Sequence, residues 1–143
     1  MAFSRGGSST ALHVLQSALD IGGPSVIALK TDFKNAFNTR KRHDILSELF
    51  MVPALAPLFR LAHWAYRSPS LLLVSRGGVP FGGILSAEGV KQGDVLASLL
   101  FALSVHSYYS QCIDGLPNLR AVAVVDDFYL VGAPDTVFTV FDL

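Results

Sequence analysis

The sequence lacks several features that would place it in a common class of protein. Its 143 residues include one cysteine, Cys112, which excludes an internal disulfide and any zinc site built from paired thiolates. Lysine and arginine (11) balance aspartate and glutamate (11), so bulk positive charge cannot drive binding to nucleic acid. No apolar run reaches the ~20 residues of a membrane span, and no signal-peptide core follows the first residues. We therefore expect an intracellular protein, cytoplasmic or nuclear and not secreted, with no membrane partner.

The chain has ample apolar material for a core. Apolar residues make up 51% of it and charged residues 15%, a composition that excludes disorder and indicates one domain. Its charges are unevenly placed, because bases cluster in residues 30–43 whereas residues 121–143 contain four acids and no base. The basic run at residues 40–43 is either a solvated helix face or a phosphate contact.

Helical spacing of apolar residues predicts four helices. The first is capped by Ser8 or Ser9 and ends at residues 22–24; the last is capped by Asp94 and covers about 94–112. The second begins at Asn38 or Thr39. Its expected buried residues are Ile45, Leu46, Leu49 and Phe50, and those of the third helix are Leu55, Leu58, Ala62 and Ala65. Trp64 and Tyr66 also lie on the third helix, where we expect core packing rather than base stacking.

Short β-branched runs predict strands at residues 26–33, 71–74, 121–125 and 128–131. Alternation along the first strand places Asp32 on the same face as Lys30 and Ala28. Asp126 and Asp127 separate the last two strands, as the turn of a tight hairpin. Glycine-rich residues 76–83 are expected to form a flexible loop. The order of elements indicates an α+β fold with a small antiparallel sheet.

Three carboxylates come from the ends of these strands. Adjacent acids in a turn are common, because aspartate tolerates turn geometry. Asp32, however, ends a separate strand, so three carboxylates from two strand ends could converge, with Asp126 and Asp127 among them. Such a cluster is tolerable around Mg²⁺, which prefers hard oxygen ligands and supports phosphoryl displacement.

Three segments in order resemble motifs of reverse transcriptases. Residues 29–38 read LKTDFKNAFN and resemble the first palm motif, and residues 89–96 read GVKQGDVL and resemble the second. Residues 124–127 read VVDD and occupy the place of the third. The resemblance covers roughly residues 29–132 and is closest to the enzymes of non-LTR retrotransposons.

The resemblance implies roles for the acids. Asp32 and Asp126 would ligate two Mg²⁺ ions, or Mn²⁺, with Asp127 as a supporting carboxylate and the Phe33 carbonyl as a further ligand. Asp32, Asp126 and Asp127 would then be the catalytic residues of RNA-directed DNA synthesis.

The resemblance also implies how substrates are recognised. Phe37 matches the steric gate that rejects a ribose 2′-hydroxyl, and Gln92 and Gly93 match residues that lie against the template and the nascent base pair. The expected partners are an RNA template, a DNA primer and deoxynucleoside triphosphates.

The resemblance implies a polymerase palm-type sheet packed against helices. Residues 1–143 would form a single partial reverse transcriptase domain, with a palm core at about 25–133 and fingers and thumb incomplete or absent. Val124 replaces the aromatic residue usual in the third motif, and Val95 replaces a common proline in the second. Two alternatives stay open: a catalytically inactive retroelement remnant with at most weak nucleic-acid or protein binding, and an RNA-templated RNA polymerase.

Overall fold

A computed structural model describes residues 6–141. Their elements are α1 (Gly7–Gly22), β1 (Ile27–Asp32), α2 (Ala36–Thr39), α3 (Arg42–Phe50), α4 (Ala56–Tyr66), β2 (Ser70–Arg76), β3 (Val79–Ser86), α5 (Ala97–Gln111), β4 (Arg120–Val124), β5 (Asp127–Gly132) and α6 (Pro134–Phe141). The chain divides into two compact units, residues 1–34 with 105–143 and residues 35–104. The α+β class with small antiparallel sheets is confirmed.

The first unit contains a three-stranded antiparallel sheet in the order β1-β5-β4. Along β1, half-buried residues alternate with exposed ones, so Ala28, Lys30 and Asp32 share the exposed face as predicted. The core beneath the sheet joins β5 to α6 and includes the buried residues Leu119, Phe128, Leu130, Val137 and Val140. This core fixes which face of the sheet meets solvent, because a one-residue slip of register would bury the charged face.

The hairpin of β4 and β5 forms as predicted, but its turn lies one residue earlier. Val124 pairs with Asp127, so Val125 and Asp126 make the turn and Asp127 belongs to β5. The prediction that Asp127 lies in the turn is therefore wrong. Val125 has φ 59°, a left-handed conformation that a β-branched residue adopts only under strain.

The second unit packs α3 against α4 through Ile45, Leu49 and Ala62, all buried. The helix expected from Asn38 or Thr39 is in fact two helices, α2 and α3, because the backbone at residues 40 and 41 is extended. Phe50 was expected to be buried and is 66% exposed.

The glycine-rich segment at residues 76–83 is a hairpin, so the prediction of a flexible loop is wrong. Gly77 and Gly78 form its two-residue turn with φ 58° and 81°, and β3 follows at once. Two consecutive left-handed residues are what a tight hairpin turn of the mirror-image type needs. The turn signal was present in the sequence, but the further glycines after it obscured the strand.

Two of the predicted caps differ in the structure. Gly6, at φ 72°, precedes α1, so Ser8 and Ser9 lie inside the helix and cap nothing. Asp94 does cap, because its Oδ1 accepts the Leu96 N–H at 2.8 Å, but α5 begins only at Ala97.

Within residues 6–141, no single helix has the length and apolar composition to cross a membrane. Residues 42–50 and 53–66 meet that test only as a pair bent by 104°.

The Val125 turn gives a stability test. Val125→Gly should stabilise the protein by roughly 1 kcal/mol, because glycine removes the left-handed strain at some cost in unfolded-state entropy. Val124→Gly, one position earlier in β4, should destabilise it, because glycine weakens a strand. Urea unfolding of both variants beside the parent measures the difference. A lower midpoint for Val125→Gly would contradict the strained turn.

Candidate catalytic site

Two of the three predicted acids lie side by side at the end of the sheet. Asp32 is the last residue of β1 and Asp127 the first residue of β5, and their Cα atoms are partners in the antiparallel register. Directly opposite residues on neighbouring strands project from the same face. The register therefore brings a carboxylate from residues 29–38 beside one from residues 124–127.

A lysine balances this pair of like charges. Lys30 Nζ contacts Asp127 Oδ1 at 2.8 Å. The contact is diagonal, because the direct partner of Lys30 on β5 is Tyr129, two residues after Asp127. This hydrogen bond raises the pKa of Lys30, and the charges of Asp127 and Asp32 act in the same direction. Opposed carboxylates alone would destabilise the strand pair, so Lys30 offsets their repulsion.

The third acid, Asp126, lies in the turn beside Asp127. Burial, and after it the negative charge of Asp126, raises the pKa of Tyr109 to about 12. The Tyr109 ring stacks on Phe128, with centroids 4.2 Å apart, and on Phe33 at 6.1 Å. The Tyr109 hydroxyl is buried and has no hydrogen-bond partner within residues 6–141. An aromatic stack thus lies beneath the acidic end of the sheet.

The donor set suits a divalent cation in its chemistry. Carboxylate oxygens are the ligands that Mg²⁺ selects, and within residues 6–141 neither Asp32 nor Asp126 forms a hydrogen bond or an ion pair through its side chain. Asp127, in contrast, is held by Lys30. In the described part of the chain, no three histidine, cysteine or acidic side chains are grouped so as to hold a metal ion. Because Lys30 holds Asp127, a cation at this site would compete with Lys30 for that carboxylate.

The residues predicted to recognise substrate belong to the second unit. Phe37 is half-buried, and its ring stacks on Phe101 with centroids 4.4 Å apart. The Phe37 carbonyl accepts the Val90 N–H at 2.8 Å, and the Arg40 carbonyl accepts the Gly89 N–H at 2.8 Å. These hydrogen bonds connect the end of the first motif-like segment, residues 29–38, and the residues just after it to the start of the second, residues 89–96.

Gly89 lies where the two segments touch. A Cβ atom at residue 89 would clash with the Phe37 carbonyl oxygen and with the Asn38 backbone. The φ angle of Gly89 is +64°. Only glycine permits this close approach of two backbones.

Gln92 and Gly93 form an exposed turn three residues further on. Gly93 has φ +90°, and the space around its Cα is open. The turn lies between two anchored points, Gly89 before it and Asp94 after it.

The buried side chain of Arg42 anchors the chain at Gly89. It is 8% exposed, and Nε donates to the Gly89 carbonyl at 3.0 Å. The other guanidinium nitrogens donate to the Ser68 carbonyl (3.1 Å) and to Ser86 Oγ (2.8 Å). Burial lowers the pKa of Arg42. Neither interpretation of the basic run fits this residue, which is neither a solvated side chain nor a phosphate contact.

Tyr66 anchors the chain at Asp94. Its hydroxyl donates to Asp94 Oδ2 at 2.7 Å, and its ring lies 5.4 Å from the guanidinium carbon of Arg42. Burial, followed by the hydrogen bond to Asp94, raises the pKa of Tyr66 to about 12. Sequence reasoning missed Arg42 and Tyr66 as partners of the second segment. The sequence signal that could have indicated Tyr66 is the Asp94 carboxylate, which the sequence analysis treats only as a helix cap.

The fold and these segments resemble those of reverse transcriptases, in agreement with the sequence analysis. The chain is 32% identical over 111 residues to the retrotransposable element SLACS 132 kDa protein of Trypanosoma brucei gambiense. That match covers 73% of this chain and 9% of the relative, so the chain spans about a tenth of it. No protein-family model matches the chain.

Two solved structures share the fold. Apo telomerase from Candida tropicalis, truncated from its C-terminal domain, superposes with a TM-score of 0.65 at 16% identity, covering 94% of this chain and 30% of the telomerase chain. Telomerase from Candida albicans, in complex with the TWJ fragment of telomeric RNA, gives a TM-score of 0.61 at 18% identity over 94% of this chain and 27% of the other. These structures show that the fold is shared with telomerase, and the retrotransposon relative adds a partial sequence relation of the reverse-transcriptase kind.

Gly89 and Gly93 form a matched pair for a stability test. Both have positive φ, but only at Gly89 would a Cβ meet backbone atoms. We expect Gly89→Ala to destabilise the protein by about 3 kcal/mol or more, and Gly93→Ala by only about 1–2 kcal/mol of backbone strain. Urea unfolding of the two variants measures the gap. Equal losses would show that the two segments are not in contact at Gly89.

Proposed function

We propose that this chain is the catalytic segment of an RNA-directed DNA polymerase. The reaction is attack of a primer 3′-hydroxyl on the α-phosphorus of a deoxynucleoside triphosphate, with release of pyrophosphate. The register pairing of Asp32 with Asp127 is the observation that carries this proposal. Without that pairing, the likeness of residues 29–38 and 124–127 to polymerase motifs would have no spatial meaning.

In this proposal, the acids at the end of the sheet hold the catalytic cations. Asp32 and Asp126 are the ligands of Mg²⁺ or Mn²⁺, with Asp127 in support and the Phe33 carbonyl as a further donor. The bound cations would lower the pKa of the attacking hydroxyl and offset charge on the phosphates. Lys30 holds Asp127 through their 2.8 Å contact, and a cation bound by Asp127 would have to displace this lysine.

The second unit selects the substrate in this proposal. Phe37 excludes the ribose 2′-hydroxyl, and the stack on Phe101 supports this role because it fixes the ring. Gln92 and Gly93 lie against the template and the new base pair, and the exposure of their turn leaves them accessible. The partners are then an RNA template, a DNA primer and deoxynucleoside triphosphates.

The second candidate is a catalytically inactive remnant of a retroelement with at most weak nucleic-acid or protein binding. Two features favour it: Lys30 contacts Asp127, and within residues 6–141 no three histidine, cysteine or acidic side chains are grouped for a metal. The two candidates differ in whether primer extension occurs at all.

Primer extension on an RNA template, with Mg²⁺ or Mn²⁺ present, separates the candidates. We expect the parent to incorporate deoxynucleotides and Asp126→Asn to lose the activity, because the amide cannot supply a charged ligand. Asp114→Asn makes the same chemical change at an exposed turn outside the site and should extend like the parent. Circular dichroism confirms that both variants are folded.

Absence of extension by the parent would favour the inactive remnant. Equal extension by the parent and Asp126→Asn would contradict the assignment of this acid.

A further inference from the structure

A surface on α4 is unused by the proposed catalytic site. Arg60, Trp64 and Arg67 follow one another at spacings of four and three residues, so they form one stripe along the helix. We call this stripe the α4 face. Trp64 is 74% exposed, whereas Tyr66 on the opposite side is 1% exposed. The expectation of core packing therefore holds for Tyr66 and is wrong for Trp64.

The helix continues to the end of the stripe. Arg67 follows the last residue of α4 with φ −62° and ψ −27°, and its N–H donates to the His63 carbonyl at 2.9 Å. The two arginines therefore lie roughly 10 Å apart along the helix axis, on either side of the indole.

Along the sequence, the charge on either side of this stripe has one sign. The sequence contains no aspartate or glutamate between Glu48 and Glu88, a stretch that includes both arginines of the stripe. Within residues 6–141, neither arginine of the α4 face forms an ion pair. The chain is neutral as a whole, so the positive charge of the α4 face is local, and both of its arginines are exposed.

We propose that the α4 face binds single-stranded nucleic acid, with one base stacked on Trp64 and the flanking phosphates on Arg60 and Arg67. An indole offers a stacking surface to any base, and a guanidinium pairs with phosphate through several N–H donors. This surface deepens the proposed function by adding a nucleic-acid contact outside the acids, and it rests on that function for its role in polymerisation. Because aromatic stacking has little sequence preference, the contact is expected to be general.

Nucleic acid fits this face better than a protein partner or a membrane does. Protein-binding surfaces are depleted of charge at their centre, whereas here two arginines flank the exposed indole of Trp64. A membrane-surface helix carries its basic residues on the face opposite its apolar residues, whereas here Arg60 and Arg67 lie on the same side of α4 as the exposed Leu61 and Trp64.

Trp64 is the only tryptophan in the chain, so its fluorescence reports on this surface without any substitution. We expect single-stranded oligothymidylate and oligouridylate to quench Trp64 emission in a saturable, salt-sensitive manner. Inorganic polyphosphate supplies the same charge without bases and should leave the emission nearly unchanged. Vesicles containing phosphatidylserine test the lipid alternative, in which the emission would shift to the blue.

Variants of the full chain test the same contact by anisotropy of a labelled oligonucleotide. Trp64→Ala should weaken binding roughly 5- to 100-fold, and Trp64→Phe should retain much of the affinity because it keeps a ring. Arg60→Gln with Arg67→Gln should weaken binding and reduce its dependence on salt. Arg76→Gln removes an exposed charge of the same kind on β2 and is the matched control, with affinity close to that of the parent.

The outcomes separate this proposal from the catalytic one. Quenching by oligonucleotides in a chain that extends no primer would support the α4 face while the catalytic proposal fails. Primer extension without quenching would overturn the α4 face alone. Equal quenching by polyphosphate, a response to vesicles only, or equal affinity of Trp64→Ala and the parent would each overturn it as well.

Discussion

The antiparallel pairing of β1 with β5 is the constraint on which the rest of the first unit depends. Because Leu29 pairs with Leu130, the buried side of both strands faces the core, and Asp32 then falls opposite Asp127. A register changed by one residue would separate the acids and bury the charges. The hydrophobic core and the acidic site are thus fixed by the same hydrogen-bond ladder, and Lys30 offsets the repulsion that the ladder creates.

In the second unit, buried polar side chains have the corresponding role. Arg42 and Tyr66 are almost inaccessible to solvent, yet their polar groups are matched with backbone carbonyls, with Ser86 and with Asp94. Such groups are costly to bury unless they are paired, so this network specifies one arrangement of the loop at residues 86–96. The exposed turn at Gln92 and Gly93 is therefore held by a rigid frame although it makes few contacts of its own.

Much of the fold followed from local patterns, whereas the errors came from features that only tertiary contacts decide. Alternation in β1 predicted the face of Asp32, and the spacing of two β-type runs predicted the last hairpin. The turn of that hairpin was misplaced by one residue, because no local rule favours a left-handed valine at residue 125. The burial of Arg42 and the exposure of Trp64 reverse the usual preferences of these residue types, so composition could not reveal them. For the site, the sequence predicted the three acids, and the register shows that Asp32 and Asp127 lie opposite each other.

Direct titration with Mn²⁺, followed by electron paramagnetic resonance of the free ion, tests most directly whether this register creates a cation site. The parent and Asp114→Asn should bind Mn²⁺ with the same affinity, whereas Asp32→Asn and Asp127→Asn should each bind about tenfold more weakly or worse. Loss in both variants, which lie far apart in sequence and opposite each other in the sheet, would establish that the two strands build one site. Binding by either variant with the parent's affinity, or no binding by the parent, would contradict the account.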